Sequence, residues 1–235
     1  MQWIASLVYT AFLFASIFVY ALVTLACFWL PFRQRYRITQ SWARVALGAA
    51  KALCGLDYVV EGLENIPAGA HVSLWKHSSA WETIVQQVLF PPTAWVLKRE
   101  LLWVPVIGWG MALMRPIAIN RSAHRNAVTQ VVQQGKQRLA EGIWVLIFPE
   151  GTRVAAGERR RFGASGALLA SQAGCKVVPV AHDAGLYWAR RGLLKRRGTI
   201  RVVIGPPIDS TGMDPRDLNE AARAWIDNKV TELGA

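Results

Sequence analysis

The sequence predicts an α/β domain with a mostly parallel central sheet flanked by helices, preceded by an N-terminal membrane-anchoring helical segment. Three observations point there. Residues 2–32 contain no Asp, Glu, Lys or Arg. From residue 57 onward, short apolar runs alternate with helical patterns, the signature of layered α/β folds. The side chains best suited to chemistry follow directly after two of those runs, where parallel sheets carry their sites.

Taken in order, the first segment is longer than the ~20 apolar residues a spanning helix requires, and it lacks the basic start of a secretory signal. Arg33, Arg35, Arg37 and Arg44 lie on its C-terminal side, which predicts that the rest of the chain faces the cytoplasm. Residues 38–56 place Trp42, Val45, Ala46, Ala49, Leu53 and Leu56 at helical spacing, with Leu47 outside the stripe. This second helix fits the membrane interface, a partial return into the bilayer, or packing on the soluble core. The chain therefore divides into an anchor, 1–56, and one domain, 57–235, within the usual size range. Strands are predicted at 58–61, 71–75, 94–97, 116–119, 144–148, 177–181 and 199–204. Helices are predicted at 80–90, 122–141, 164–174 and 214–232, the last opened by the capping pair Asp214-Pro215.

Composition narrows the function. The 235 residues carry 27 Lys and Arg against 15 Asp and Glu, a net charge of +12 that favours anionic partners. Beside a membrane segment, anionic membrane lipids are the better reading of that charge, and nucleic acid is not expected. Cys27, Cys54 and Cys175 have neither the spacing nor the histidine partners of a zinc site or a disulfide framework. The chain has no G-x-x-x-x-G-K-[ST] loop and no H-E-x-x-H, so nucleotide hydrolysis and zinc proteolysis lack support. No metal and no cofactor are expected. His71 and His124 have no evident partners and read as structural or surface residues.

Two motifs carry the chemistry. Lys76-His77-Ser78-Ser79-Ala80-Trp81-Glu82 follows the second predicted strand. Histidine titrates near 6.5 and suits a general base, while a carboxylate on its other ring nitrogen fixes the tautomer and stabilises the imidazolium. His77 is the candidate base and Glu82 its orienting acid, arranged as a loop entering a helix; taken alone, His77 also fits a hydrogen-bonded structural histidine. Phe148-Pro149-Glu150-Gly151-Thr152-Arg153 follows the fifth strand. Gly151 permits close backbone approach to a ligand, Arg153 offers a planar fork for phosphate, and Glu150 could position Arg153 or a substrate hydroxyl. A surface turn with an ion pair is the simpler reading of this motif by itself.

Together these blocks resemble the glycerolipid acyltransferases, specifically the bacterial 1-acyl-sn-glycerol-3-phosphate acyltransferase type. The resemblance spans roughly residues 60–205: the block from His77 to Glu82; Lys98-Arg99-Glu100 with Pro105 and Gly108; Phe148 to Arg153; and Val178-Pro179-Val180. The departure is Glu82 where the family's commonest residue is Asp, one methylene shorter. The resemblance implies transfer of a fatty acyl group from acyl-CoA or acyl carrier protein to the sn-2 hydroxyl of lysophosphatidic acid, giving phosphatidic acid. Attack is direct and needs neither metal nor cofactor. It implies His77 as base, Glu82 as its support, and Glu150, Gly151, Thr152, Arg153, Lys98 and Arg99 around the acceptor phosphate. It also implies the bacterial inner membrane, with the catalytic domain on its cytoplasmic face. The same motifs admit glycerol 3-phosphate, another lysophospholipid or a lyso-ornithine lipid as acceptor. Trp95, Trp103, Val104, Ile107, Trp109, Met111 and Met114 crowd the second block and fit either an acyl-chain site or core packing.

One rival lies in Gly163-Ala164-Ser165-Gly166-Ala167, which nearly imitates a hydrolase nucleophile elbow with His182 and Asp183 nearby in sequence. An elbow follows a strand, however, and a run of three arginines and Phe162 precedes this one.

Overall fold

The structure is a computed structural model that describes residues 1–120 and 124–235. All seven predicted strands form, and they make one sheet. In chain order they are β1 (Leu56–Glu61), β2 (Val72–Trp75), β3 (Thr93–Lys98), β4 (Ile117–Ile119), β5 (Trp144–Ile147), β6 (Val177–His182) and β7 (Gly198–Ile204). Their spatial order is β1-β7-β6-β2-β5-β3-β4. Every pairing is parallel except β6 with β7, so β1 and β7 run together against the other five. Every residue of β2, β5 and β6 is buried, as expected of central strands covered on both faces.

The covering helices follow local signals. On one face lie α1 (Gln2–Ala26), α2 (Phe32–Cys54) and α3 (Glu82–Leu89); α4 (Ile107–Ala112) follows β3 and packs on α1. On the other face are α5 (His124–Ala140), α6 (Ser165–Ala173) and α8 (Pro215–Glu232), while the single turn α7 (Ala184–Tyr187) follows β6. Gly55 ends α2 in the left-handed conformation at φ 65°. Asp214 caps α8, its carboxylate accepting from the Arg216 amide, with Pro215 in the first turn as predicted. Residues 122 and 123 of the predicted fourth-strand-to-helix segment, and the side chain of His124, lie outside the described residues. His71 is structural: it faces Trp144 edge-on, Nδ1 accepts from the Lys176 amide at 3.1 Å and Nε2 lies 3.0 Å from the Ala68 carbonyl.

Helix α2 corrects the predicted stripe. Its buried residues are Tyr36, Ala43, Ala46, Leu47, Ala50 and Cys54, whereas Val45 and Leu53 are exposed. The face actually used is rich in alanine, and hydrophobicity alone marks larger residues. The small side chains matter because α2 is pressed between α1 and α3, and helix axes approach closely only over small residues. The helix packs on the core through this face.

Helix α1 is not a separate rod. Ser6, Tyr9, Leu13, Ala21 and Thr24 are buried, a stripe at helical spacing. At its start the Gln2 side-chain amide donates to the carbonyls of Cys54 at 2.9 Å and Lys195 at 2.6 Å. The Lys195 ammonium donates to Thr10 and to the Leu193 carbonyl and lies over the Trp188 ring, 4.7 Å from its centroid. Near its end, Ala21 meets Gly110 of α4 so closely that a Cβ on the glycine would stand 3.3 Å from the Ala21 backbone. Tyr9 and Leu13 belong to the same core cluster as Trp75 and Trp144. The core therefore continues across residue 56 without a gap. The outward side keeps Trp3, Leu7, Phe14, Phe18 and Leu22 exposed, and α1 is the one described helix long and apolar enough to cross a membrane.

Between β3 and α4 the chain turns tightly through a 3-10 segment, Arg99–Trp103, and closes on Gly108. A Cβ at Gly108 would lie 2.5 Å from the Leu101 carbonyl oxygen and 2.6 Å from that of Leu102. Gly108→Ala forces this backbone apart, and we expect a destabilisation of about 1–3 kcal/mol, read as a thermal midpoint lower by several degrees in detergent. An unchanged midpoint would show that the turn relaxes freely.

Candidate active site

Parallel pairing brings the two motifs together. β2 and β5 are neighbours aligned with Leu74 beside Ile147, so the loops leaving their C-terminal ends emerge side by side. β3, on the far side of β5, ends at Lys98, and β6, on the far side of β2, ends at His182. Four strand ends thus deliver Lys98, Phe148 to Arg153, His77 and His182 to one rim of the sheet.

His77 is held at every point but one. Its amide donates to Glu150 Oε2 at 2.7 Å and its carbonyl accepts from the Val154 amide at 2.7 Å. The imidazole stacks on Phe148 with centroids 4.0 Å apart and planes 19° from parallel. Nδ1 lies 2.7 Å from Glu82 Oε1; a carboxylate only accepts, so Nδ1 carries the hydrogen. Nε2 is left with a free lone pair, and no described residue hydrogen-bonds it. Glu82 opens α3, is fully buried, and receives the Ser79 amide at 3.0 Å on each oxygen. The longer side chain, compared with aspartate, therefore reaches the imidazole in good geometry.

Glu150 departs from its expected place. Its side chain is 1% exposed, Oε1 meets the Lys76 ammonium at 2.6 Å, and Oε2 takes the His77 amide. Burial pushes the carboxyl upward from its ordinary range, while Lys76 and the His77 amide pull it back. With both oxygens engaged inside the protein, Glu150 is a brace for the His77 loop and does not face a substrate.

His77, Lys98 and Arg153 share the lining of one cavity of about 470 Å³, within the ~300–1,000 Å³ usual for small-molecule sites. Ile17 and Ala21 of α1, Trp42 of α2, Trp95 and Leu97 of β3, Met111 of α4, Met114 and Phe148 supply apolar wall. The Arg153 Nε is buried without a hydrogen-bond partner among the described residues. A buried guanidinium nitrogen left in this state is costly unless a ligand satisfies it.

The chain from residue 57 to 183 matches the family model described as "Acyltransferase". The chain belongs to the acyltransferase family. A 1-acyl-sn-glycerol-3-phosphate acyltransferase of Pseudomonas aeruginosa is 46% identical over 99% of this chain and 92% of its own length. A protein of the same description from Saccharomyces cerevisiae is 29% identical over 81% of this chain and 64% of its own. Among solved structures, the 1-acyl-sn-glycerophosphate (LPA) acyltransferase PlsC of Thermotoga maritima superposes with a TM-score of 0.82 at 20% identity, over 100% of this chain and 96% of that one. That likeness is one of fold, and it includes the N-terminal helices.

Within this acyltransferase fold, the remaining expected residues fall into two groups. Lys98 lines the cavity, is half-exposed and pairs loosely with Glu100 at 3.9 Å. Gly151 adopts φ 70° in the turn closed by its own amide and the Phe148 carbonyl, and Thr152 sits half-buried beside it. Arg99 instead turns away, its guanidinium 5.9 Å from the Trp103 ring. The aromatic cluster around the second block also divides: Trp95, Ile107, Met111 and Met114 line the cavity, while Trp103, Val104 and Trp109 are exposed. Ser165 begins α6 after a long loop and not in a turn directly following a strand, and His182 lies against Glu82, so the arrangement of a hydrolase elbow is not formed. Sequence reasoning missed Lys76 as the partner of Glu150, the cavity walls from α1 and α2, and the place of His182. Only His182 had a usable signal, at the end of a predicted central strand.

Glu150→Ala leaves the Lys76 ammonium buried without its counter-ion, an arrangement that costs about 3–5 kcal/mol. The expected result is a marked drop in thermal midpoint, largely restored by the second change Lys76→Met. Failure of the double variant to recover would mean that the brace on the His77 amide matters more than the charge pair.

Proposed function

We propose that this protein transfers a fatty acyl group from a thioester donor, acyl-CoA or acyl carrier protein, to the sn-2 hydroxyl of lysophosphatidic acid, forming phosphatidic acid. The observation that carries the reading is one apolar cavity holding both a histidine with a free Nε2 lone pair and an arginine with an unsatisfied Nε. The names of the Pseudomonas and yeast relatives support the acceptor.

The acceptor hydroxyl approaches His77 Nε2 and gives up its proton as its oxygen attacks the thioester carbonyl. Glu82 meets the positive charge that develops on the ring, in a setting where a buried carboxylate is more effective than one in water. Collapse of the tetrahedral intermediate expels the thiolate, and the imidazolium returns the proton to it. Among the described residues no side-chain hydroxyl or thiol hydrogen-bonds His77 Nε2, which favours direct attack over an acyl-enzyme. Arg153 and Lys98 take the acceptor phosphate, the Gly151-Thr152 turn lets its oxygens come close to the backbone, and the apolar wall takes the acyl chain. The scheme uses no metal and no cofactor beyond the thioester. Arg99, with Trp103, serves the membrane side.

The same reading places the protein on the cytoplasmic face of the bacterial inner membrane. Because α1 is tied to the domain near both ends, we infer that its exposed apolar side is seated in the leaflet and that the helix does not leave the domain to cross it. The basic residues Arg33, Arg35 and Arg37 then meet anionic head groups.

Thiol release from acyl-CoA by the detergent-purified protein should require lysophosphatidic acid, and His77→Ala should lower it about 100- to 10,000-fold in a folded protein. A negative result extends to acyl carrier protein as donor and a panel of lysolipids and glycerol 3-phosphate; silence throughout would sink the acyl-transfer reading. Arg153→Ala should raise the KM for lysophosphatidic acid by about tenfold or more while the KM for the donor changes little. Equal increases for both substrates would reject Arg153 as the acceptor clamp.

A further inference from the structure

Behind the His77–Glu82 pair sits a second imidazole that the proposed mechanism does not use. His182, the last residue of β6, is fully buried. Its Nδ1 accepts from the Ala184 amide at 3.3 Å, so Nε2 carries the hydrogen and donates to the Lys76 carbonyl at 2.9 Å. The same nitrogen lies 4.0 Å from Glu82 Oε2. Trp75 and Trp81 flank the ring, with centroids 6.4 Å and 6.3 Å away. Burial holds the imidazole below its ordinary titration range; Glu82, the Lys76 carbonyl and Asp183 pull it upward, and the Lys76 charge adds to the lowering. His182 is accordingly neutral, with its tautomer set by the backbone.

Resting on the acyl-transfer reading, we propose that His182 is a positioning residue for the reaction. Its Nε2–H holds the Lys76 carbonyl, one residue from the base, and the positive side of its ring lies 4.0 Å from the outer oxygen of Glu82. Glu82 Oε1 serves His77, and among the described residues the one hydrogen-bond donor shared by both oxygens is the Ser79 amide. The carboxylate itself has no exposure to bulk solvent. An aspartate, one methylene shorter, would draw its outer oxygen back toward its own backbone and away from β6. His182 is therefore matched to the glutamate of this chain. Its neutrality is part of the match, because an imidazolium at 182 would compete with His77 for the same carboxylate.

The test is a double-mutant cycle. His182→Phe keeps a ring between the two tryptophans but removes the donor, and His182→Gln restores an amide donor should the first variant fold poorly. We expect His182→Phe to lower kcat about tenfold or more, with the KM for lysophosphatidic acid within about twofold, and to move the acid limb of the kcat profile. His182→Gln should recover part of the loss. In a Glu82→Asp background, His182→Phe should cost distinctly less, which is the coupling the contact requires. Wild-type kcat and acid limb in folded His182→Phe, or the same fold-loss in both backgrounds, would overturn the proposal. Should the wild-type protein turn over no substrate, acyl transfer itself fails, and the thermal midpoints of the same double-mutant cycle decide the contact separately. His182→Phe should lower the midpoint less in the Glu82→Asp background than in the wild type, and equal losses reject the proposal.

Discussion

A single buried carboxylate ties this site together. Glu150 arrives on the loop after β5, yet its two oxygens bind the side chain of Lys76 and the main chain of His77, both on the loop after β2. Its neighbour in the same loop, Val154, returns a hydrogen bond to the His77 carbonyl. Because the strands beneath are parallel neighbours, the loops have only to cross the width of one strand pair to meet. The base is thus positioned by groups from the other motif before any substrate is present. Such preorganisation is what an electrostatically assisted proton transfer requires.

The polar cluster is sealed by aromatic packing. Trp75 and Trp81 are buried beside it, Phe148 stacks on the imidazole, and Glu82 and His182 have no exposure. A buried carboxylate is tolerated only when its oxygens are satisfied, which the Ser79 amide and His77 accomplish. In front of the cluster the surface changes character at once, into an apolar cavity walled by α1, α2, β3 and α4. The N-terminal helices consequently do two things with opposite faces: the inner stripe completes the cavity, and the outer one remains apolar and exposed. Both faces belong to the same 25-residue helix.

Most of the fold was legible. The strands of the central sheet are continuous apolar runs bounded by turn residues, and Asp214-Pro215 marks the last helix unambiguously. The inner face of α2 was not legible, because alanines at 43, 46 and 50 are chosen for close approach of helices, a requirement imposed by partners far along the chain. Within the site, His77, Glu82 and Arg153 stood out because two motifs, each with a simpler reading by itself, follow strands in one chain in the order of a known family. Glu150 was misassigned. A carboxylate beside an arginine looks like its partner until the fold supplies Lys76 from a loop seventy-four residues away.

What the sequence determined by itself was therefore the local order: which runs become strands, where helices begin, and which strand ends carry an imidazole, a carboxylate and a guanidinium. Hydrophobic periodicity and capping act within a few residues, so they are written into contiguous segments. The tertiary structure decided the rest. Sheet order alone brought Lys98, Arg153, His77 and His182 to one rim, turned Glu150 inward and Arg99 outward, and laid α1 along the domain as a cavity wall. Each of these depends on contacts between residues distant in the chain, and no local pattern encodes which strand will lie next to which.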